Sequence, residues 1–518
     1  MTSTAAVPTV DTSDPKRWLS LVGICAVTAL VWVTASDISI ALPTIGRDIG
    51  GSADALQWAV NGYFLAGSLI IVTGRLGDVF GRLRLFTIGT ALLIVGSVVA
   101  GLAGAPPQLV IGRVIEGVGA AAILPNALAM IAVGFAGRER DTAIGAWVAT
   151  CWGAQAVGPL VGGALIASVG WASIFWINLP IGLIAIVLTL KATTESSDAV
   201  GGRHVDIPGA VALTGGITAL SYGLVICDTA GSSQLIATFA AAVVLLILFV
   251  IIEMRSKVPL VKLTIFKHRG FDGAVLANLL ANFVFGAAIY FMSLYLQVVL
   301  GYSPLKAGAM LLPATVPILL MTPFGARLGR RYGPGLPVTI SMVMIAASAF
   351  LFTTLTGNYS DLLPSFILLG VGVGLQITMT AKVAVDDAGE AGEGVASGVY
   401  KASSMIGGSL GVATLTAVFQ NSADSKFSET LDSLKPGAAL IAKLLNVLTG
   451  SVTEETGQNL LNGQATLGHF AEVKIAPLLT TVFDYSLANA MWVGAAVSLL
   501  GALACMLLLR GVRADTPT

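Results

Sequence analysis

Long apolar blocks dominate the chain, with short polar segments between them. Blocks of about 20 residues, the length a helix needs to cross a hydrocarbon core about 30 Å thick, centre near residues 30, 65, 93, 120, 153, 182, 216, 243, 285, 315, 345, 371, 408 and 497. Fourteen membrane-spanning helices are therefore predicted. Gly50-Gly51-Ser52, Ala105-Pro106-Pro107, Gly201-Gly202, Gly231-Ser232-Ser233 and Gly357-Asn358 mark turns between them. The polar segment Met1 to Pro15 followed by Lys16-Arg17 looks like the start of a signal peptide. The apolar run behind it is too long for one and lacks an A-x-A cleavage pattern, so it is expected to remain as span 1.

An even number of spans returns the chain to the side on which it began, and the positive charges say which side that is. With a cytoplasmic N-terminus, 20 of the 28 Lys and Arg residues fall in inner segments, from Lys16 and Arg17 to Arg510 and Arg513. The short outer loops carry only Arg47 and Lys306, and a long one adds Lys426, Lys435, Lys443 and Lys474. Arg113 and Lys401 are left at membrane depth. A multi-pass protein of the cell membrane with both termini in the cytoplasm is expected.

Composition agrees with a lipid-facing surface. Hydrophobic residues make up 55% of the 518 and charged ones 11%, against about 25% charged in soluble proteins, and the mean hydropathy is +0.87. Glycine, at 60 residues, lets membrane helices approach closely. A net charge of zero offers no basic excess for nucleic acid. Cys25, Cys151, Cys227 and Cys505 are too scattered for a disulfide framework or metal site, and His204, His268 and His469 have no HExxH spacing. No Gly-Lys dipeptide occurs, which removes the phosphate-binding loop of an ATP-driven pump. Neither an enzyme nor a cofactor is indicated.

The chain repeats itself at an offset of about 250 residues. Gly74-Arg75-Leu76-Gly77-Asp78-Val79-Phe80-Gly81-Arg82 ends span 2, and Gly325-Ala326-Arg327-Leu328-Gly329-Arg330-Arg331-Tyr332-Gly333 ends span 10. Gly158, Pro159, Gly162 and Gly163 lie on span 5, as Gly407, Gly408 and Gly411 lie on span 13. Two homologous six-helix bundles with an inserted pair, spans 7 and 8, follow from this. The expected divisions are a tail (1–17), an N-terminal bundle (18–192), the inserted pair with its linkers (193–270), a C-terminal bundle (271–510) with an outer loop at 421–484, and a tail (511–518). Duplicated halves with a site between them are the architecture of alternating access.

Four motifs, in order along nearly the whole chain, carry a resemblance. Gly74 to Arg84 resembles GxLaDrxGrk, Arg113-Val114-Ile115-Glu116-Gly117 resembles RxxQG, Gly158 to Gly163 resembles an exporter "antiporter" motif, and Ala41-Leu42-Pro43 resembles the end of a helix 1 motif. Trp58 with Tyr63, Asn178 to Gly182 and Leu300 to Ser303 are smaller echoes. The chain is thus similar to the major facilitator superfamily, and its fourteen spans resemble the drug:proton antiporters that include quaternary-ammonium and multidrug exporters. The resemblance implies a monomeric antiporter that uses protons as coupling ion and exports lipophilic, cationic compounds. The pattern departs at Thr34, where the family's helix 1 acid usually lies, with Asp37 one turn later. It departs also at Glu116 in place of Gln, at Ala154 in place of Gly, and at Lys401, where a neutral polar residue is usual.

Physical chemistry gives these residues candidate roles. Gly74, Gly77 and Gly81 permit backbone contact, and Asp78 can accept hydrogen bonds from Arg82 or from a facing helix end, making a latch. Asp37 sits in an apolar span where a charge costs at least about 2.5–3.5 kcal/mol. It shares one helical face with Thr34, Ala41 and Thr44, which should point into the bundle and place the acid for proton exchange. Arg113 and Glu116 are three apart and can pair, either as a fixed pair or as one that proton exchange opens. Lys401 lies about 9 Å into span 13, able to snorkel to the headgroups or to meet Asp78. Gly158, Gly162 and Gly163 with Pro159 allow a bend and close packing. Trp58, Tyr63, Trp147, Phe283, Phe285 and Tyr290 are candidate cavity aromatics, although Phe283 and Phe285, two apart, cannot both face it squarely.

Ala438 to Leu448 and Phe470 to Phe483 show helical apolar spacing, so the outer loop is expected to form two amphipathic helices or a helical hairpin at the outer surface, either a cover over the outer vestibule or an appendage. Lys257 to Arg269 alternates bases with apolar residues and suits the anionic inner leaflet, so membrane lipids are expected partners. With two intramembrane acids, monocationic or neutral cargo is favoured over dications. Rival readings are an exporter of an endogenous metabolite or lipid in the same fold, and a membrane sensor or scaffold that no longer transports.

Overall fold

The computed structural model describes residues 16–51, 53–196, 206–226, 232–256, 259–354, 358–387, 393–433 and 469–512. Among them the regular elements are helices. The N-terminal half contains α1 (Lys16–Ile49), α2 (Ala53–Gly67), α3 (Ile70–Phe80), α4 (Arg82–Gly101), α5 (Pro106–Gly134), α6 (Gly137–Val169), α7 (Ser173–Trp176) and α8 (Asn178–Ala192). Then come α9 (Ile207–Val225), α10 (Ser232–Arg255), α11 (Arg269–Leu294), α12 (Pro304–Met310), α13 (Leu312–Tyr332), α14 (Gly335–Leu351), α15 (Tyr359–Asp386), α16 (Glu393–Ser433) and α17 (His469–Leu508). Each predicted centre falls within a helix. Among the described residues 12 helices are long and apolar enough to cross a membrane, and α2 with α3, bent by 41°, make a thirteenth if they form one span. The apolar α14, at 17 residues, is shorter than these.

The bend follows from the chain. Between α2 and α3 the Ser68 hydroxyl donates to the Leu65 carbonyl at 2.6 Å, diverting an acceptor from the helical ladder.

Glycine spacing repeats in the packing. Alanine carbons at Gly158 and Gly162 of α6 would strike α1, and at Gly407 and Gly411 of α16 they would strike α11. Likewise Gly74 and Gly77 of α3 lie against Pro125 and Asn126 of α5, while Gly325 and Gly329 of α13 lie against Leu375 and Met379 of α15. The same helix pairs close on small residues in both halves, because only a missing side chain lets backbones approach this near. The result is two pseudo-symmetric bundles with α9 and α10 as an added pair. In α10 only 6% of the most apolar stretch is buried, so it lies at the periphery, facing lipid.

The halves meet across a central seam. Ser293 of α11 donates to the Ser39 carbonyl of α1 at 2.6 Å, Gln57 of α2 to Val412 of α16 at 3.3 Å, and Thr315 of α13 to Ala156 of α6 at 2.9 Å. At the end of the bundle away from the N-terminus, Gly163 of α6 faces the Pro304 backbone and Gly308 of α12 faces the Pro159 backbone.

The predicted loop at 421–484 is corrected at both ends. Helix α16 continues to Ser433, and Phe470 to Phe483 belong to α17, continuous with the last span rather than a separate surface helix. Ala438 to Leu448 lie outside the described residues, as do most of the two tails, His204, Cys227, Lys257 and Arg513.

Candidate functional site

The segment linking α3 to α4 is built on glycine. Gly77 leaves room for the Asn126 amide, and Gly81 adopts φ +112°, a region that L side chains rarely enter. Asp78 accepts from Arg82 Nε at 3.1 Å and Nη2 at 2.8 Å, the ion pair the sequence suggests. Sequence reasoning missed the partner beside it. Glu195, just past α8, accepts from the backbone N–H groups of Leu83 at 3.0 Å and Arg84 at 3.2 Å, and the Ser196 carbonyl accepts from Arg82 N at 3.0 Å. Three N-terminal donors of α4 are thereby satisfied by one extended segment, with a carboxylate at the positive end of the helix. A side chain at Gly81 would occupy the place of that carboxylate, its Cβ 2.6 Å from Glu195 Cδ.

A second polar system lies at membrane depth. Thr34, Asp37 and Ala41 are all buried on one face of α1. Gly162 of α6 closes on this face, such that an added Cβ would stand 2.6 Å from Asp37 Cβ. On α5, Arg113 and Glu116 are both fully buried and pair at 2.7 Å. The guanidinium also donates to the Ala59 carbonyl at 2.9 Å and rests 4.3 Å from the centre of the Tyr63 ring, while Tyr63 donates to the Val31 carbonyl at 2.6 Å.

Glu116 accepts from Ser97 of α4 at 2.6 Å, and the Asn178 amide of α8 donates to Ser97 at 2.9 Å and to Thr34 of α1 at 3.1 Å. One buried network thus joins α1, α4, α5 and α8, and it reaches the face of α1 that also carries Asp37. Asp37 Oδ2 has no hydrogen-bond partner among the described residues. Leaving a buried carboxylate oxygen unpaired is costly.

Between the halves lies a cavity of about 40 Å³, walled by Trp32, Ser36, Gln155, Asn282, Phe285 and Ser404 among others. Drug-sized sites measure roughly 300–1,000 Å³, so in this conformation the space is too small for such a molecule. Of the six aromatics expected here, Phe285 is the one on the wall. Trp58 packs 6.1 Å from Tyr222 of α9, Tyr63 lies under Arg113, and Trp147 donates to Thr28 at 3.0 Å. Phe283 is buried where Gly411 closes on its backbone, and Tyr290 meets Phe291 edge-on at 5.3 Å. Helix–helix packing consumes these rings. Trp32 on span 1 and Phe64 on span 2 supply aromatic wall that the sequence did not single out.

Lys401 neither snorkels nor meets Asp78. Its ammonium lies 5.4, 6.0 and 5.8 Å from the rings of Trp32, Trp147 and Trp152, all in the opposite half. Three indole faces attract a cation more than a path through lipid does, and nothing in span 13 itself signals them.

Comparisons with known proteins agree with this architecture. The chain is 33% identical over 405 residues to the tetracenomycin C resistance and export protein of Streptomyces glaucescens, covering 77% of this chain and 75% of that one. It is 34% identical to the puromycin resistance protein pur8 of Streptomyces alboniger, covering 78% and 82%. It is 31% identical to the quinolone resistance protein NorB of Staphylococcus aureus (strain MRSA252), covering 77% and 88%. Among solved structures, a bacterial homolog to the human lysosomal transporter Spinster superposes with a TM-score of 0.63 at 17% identity, over 96% of this chain and 98% of that one. The POT family transporter PepTSo gives 0.60 at 14%, over 95% and 97%, so both share the fold. The Major Facilitator Superfamily profile matches residues 21–412. With motif order, duplicated bundles and profile in accord, this chain is a multi-pass membrane transporter belonging to the Major Facilitator Superfamily.

Proposed function

We propose that the protein exports drug-sized lipophilic compounds from the cell in exchange for protons, by alternating access of the central cavity to the two sides of the membrane. The observation that carries the coupling is the buried system of Asp37, Arg113 and Glu116, with the unpartnered Asp37 Oδ2 at its edge and Gly162 pressing α6 onto it. Parting the bundles opens the seam along α1, where Ser39 meets α11, and lets water reach Asp37 two residues away. Proton exchange there changes the charge that Arg113 and Glu116 face, which ties protonation to conformation. Asp78 and Arg82 stiffen the α3–α4 turn at the cytoplasmic end, where α3 and α16 approach across the seam at Ile71 and Gly398. Relatives named for resistance to tetracenomycin C, puromycin and quinolones support a drug as cargo.

The test is transport in proteoliposomes with an acidic interior. Proton efflux should accumulate an aromatic drug inside, and a protonophore should abolish the accumulation. Uptake that is equal with and without the gradient contradicts proton exchange. Export of an endogenous metabolite or lipid would use the same parts and is distinguished by the compound that competes for uptake.

A further inference from the structure

We infer that the central cavity takes cargo bearing a negative charge on a flat aromatic body, a phenolate or carboxylate on a ring system, with Lys401 as its counter-charge. The inference rests on the transporter reading above and departs from the cationic cargo that the family resemblance implies. Lys401 precedes Ser404, Met405 and Gly408 by three, four and seven residues, and those three line the cavity. The ammonium therefore issues from the same face of α16, one turn nearer the cytoplasmic end. Trp32 joins the two places, since it walls the cavity and stands 5.4 Å from Lys401 Nζ.

The charge has no local answer. Among the described residues no carboxylate lies within ion-pair distance of Lys401. Of the two acids at depth in the N-terminal half, Glu116 is held by Arg113 and Ser97, and Asp37 is covered by Gly162. The cavity wall offers hydroxyls and amides from Ser36, Gln155, Asn282 and Ser404, and no charged group.

A cationic cargo in this space meets an ammonium of like sign, whereas an anionic oxygen supplies the partner the ammonium lacks. The shape favours flat rings as well. Trp32 and Trp152 stand 6.3 Å apart with planes inclined by 20°, so a planar cargo can continue their stack. Indole faces hold the ammonium in place while the cavity is empty without neutralising it, which keeps the site selective.

Three probes with one ring system separate the alternatives: 9-anthracenecarboxylate, 9-anthracenemethanol and 9-(aminomethyl)anthracene, each measured by equilibrium dialysis against the full-length protein in lipid nanodiscs. The carboxylate should bind at least roughly ten-fold more tightly than the amine, with the alcohol between. Lys401→Arg should keep this order and Lys401→Met should erase it. Because Lys401→Met removes a cross-bundle contact and can unfold the chain, the wild-type order is decisive by itself. Equal or tighter binding of the amine, no binding of the carboxylate, or an unchanged order in a folded Lys401→Met overturns the inference. Proton release on adding the amine, without preference for the carboxylate, rejects this inference and leaves proton-coupled export standing. Carboxylate binding without proton exchange does the reverse.

Discussion

Gly162→Ala isolates the contact on which the coupling scheme depends. Its Cβ would lie 2.6 Å from Asp37 Cβ and 3.3 Å from Asp37 Cα. Carbon atoms rest at about 3.5–4.0 Å, so α1 and α6 must separate by roughly 1 Å. Overpacking of this kind costs about 1–3 kcal/mol, offset by the roughly 0.5–1 kcal/mol that alanine gains over glycine inside a helix. A net loss of about 0–2.5 kcal/mol is expected, together with impaired drug-induced proton release, because Asp37 is displaced from its place on α1. The same helix provides its controls, since a Cβ at Gly145 or Gly153 meets nothing within 4 Å. Alanine there should stabilise by about 0.5–1 kcal/mol and leave proton release intact. Thermal unfolding followed by tryptophan fluorescence, with proton release measured on the same samples, decides the matter. If Gly162→Ala matches Gly153→Ala in both, Asp37 is not held by this helix and the reasoning fails.

Three further outcomes are expected. Glu195→Ala should lower the unfolding temperature by an amount equivalent to about 0.5–2 kcal/mol, the usual worth of a helix N-terminal acceptor, with Glu195→Gln milder; an unchanged transition would show that Leu83 and Arg84 find other acceptors. Asp78→Asn should express and fold normally while slowing drug transport in vesicles, because it weakens the link to Arg82 without opening the core; normal transport rates would remove the latch. In a cysteine-free background, a cysteine at Ser232 should react with an impermeant maleimide added to intact cells and one at Arg84 should not, and the opposite pattern would invert the proposed orientation.

How much of this was legible in the sequence depended on whether the information was local. The fourteen apolar centres fall in helices because run length alone decides whether a segment can span a bilayer. The buried face of Thr34, Asp37 and Ala41 and the pairing of Arg113 with Glu116 follow from helical periodicity. Lys401 did not, since its three tryptophans come from α1 and α6 in the other half. Glu195 looks like one more solvated charge until the bare N-terminus of α4 is seen beside it. Of the six candidate aromatics, Phe285 lies on the wall of this cavity and the other five pack elsewhere, for a related reason. In a bundle with apolar residues all round, periodicity does not distinguish the face toward the cavity from the face toward a neighbouring helix. The segment Phe470 to Phe483 shows its helical spacing plainly, but its continuity with the last span is hidden by Pro477 and Asp484 within α17.

The proposed exchange of the coupling proton at Asp37 can be read from drug-induced proton release by purified, weakly buffered protein. Wild type should release protons on adding a transported drug, Asp37→Asn should fold with an unchanged unfolding transition and release none, Asp37→Glu should keep part of the signal, and Glu116→Gln should still respond. Full release by Asp37→Asn would contradict the account, and a selective loss in Glu116→Gln would move the coupling site to α5.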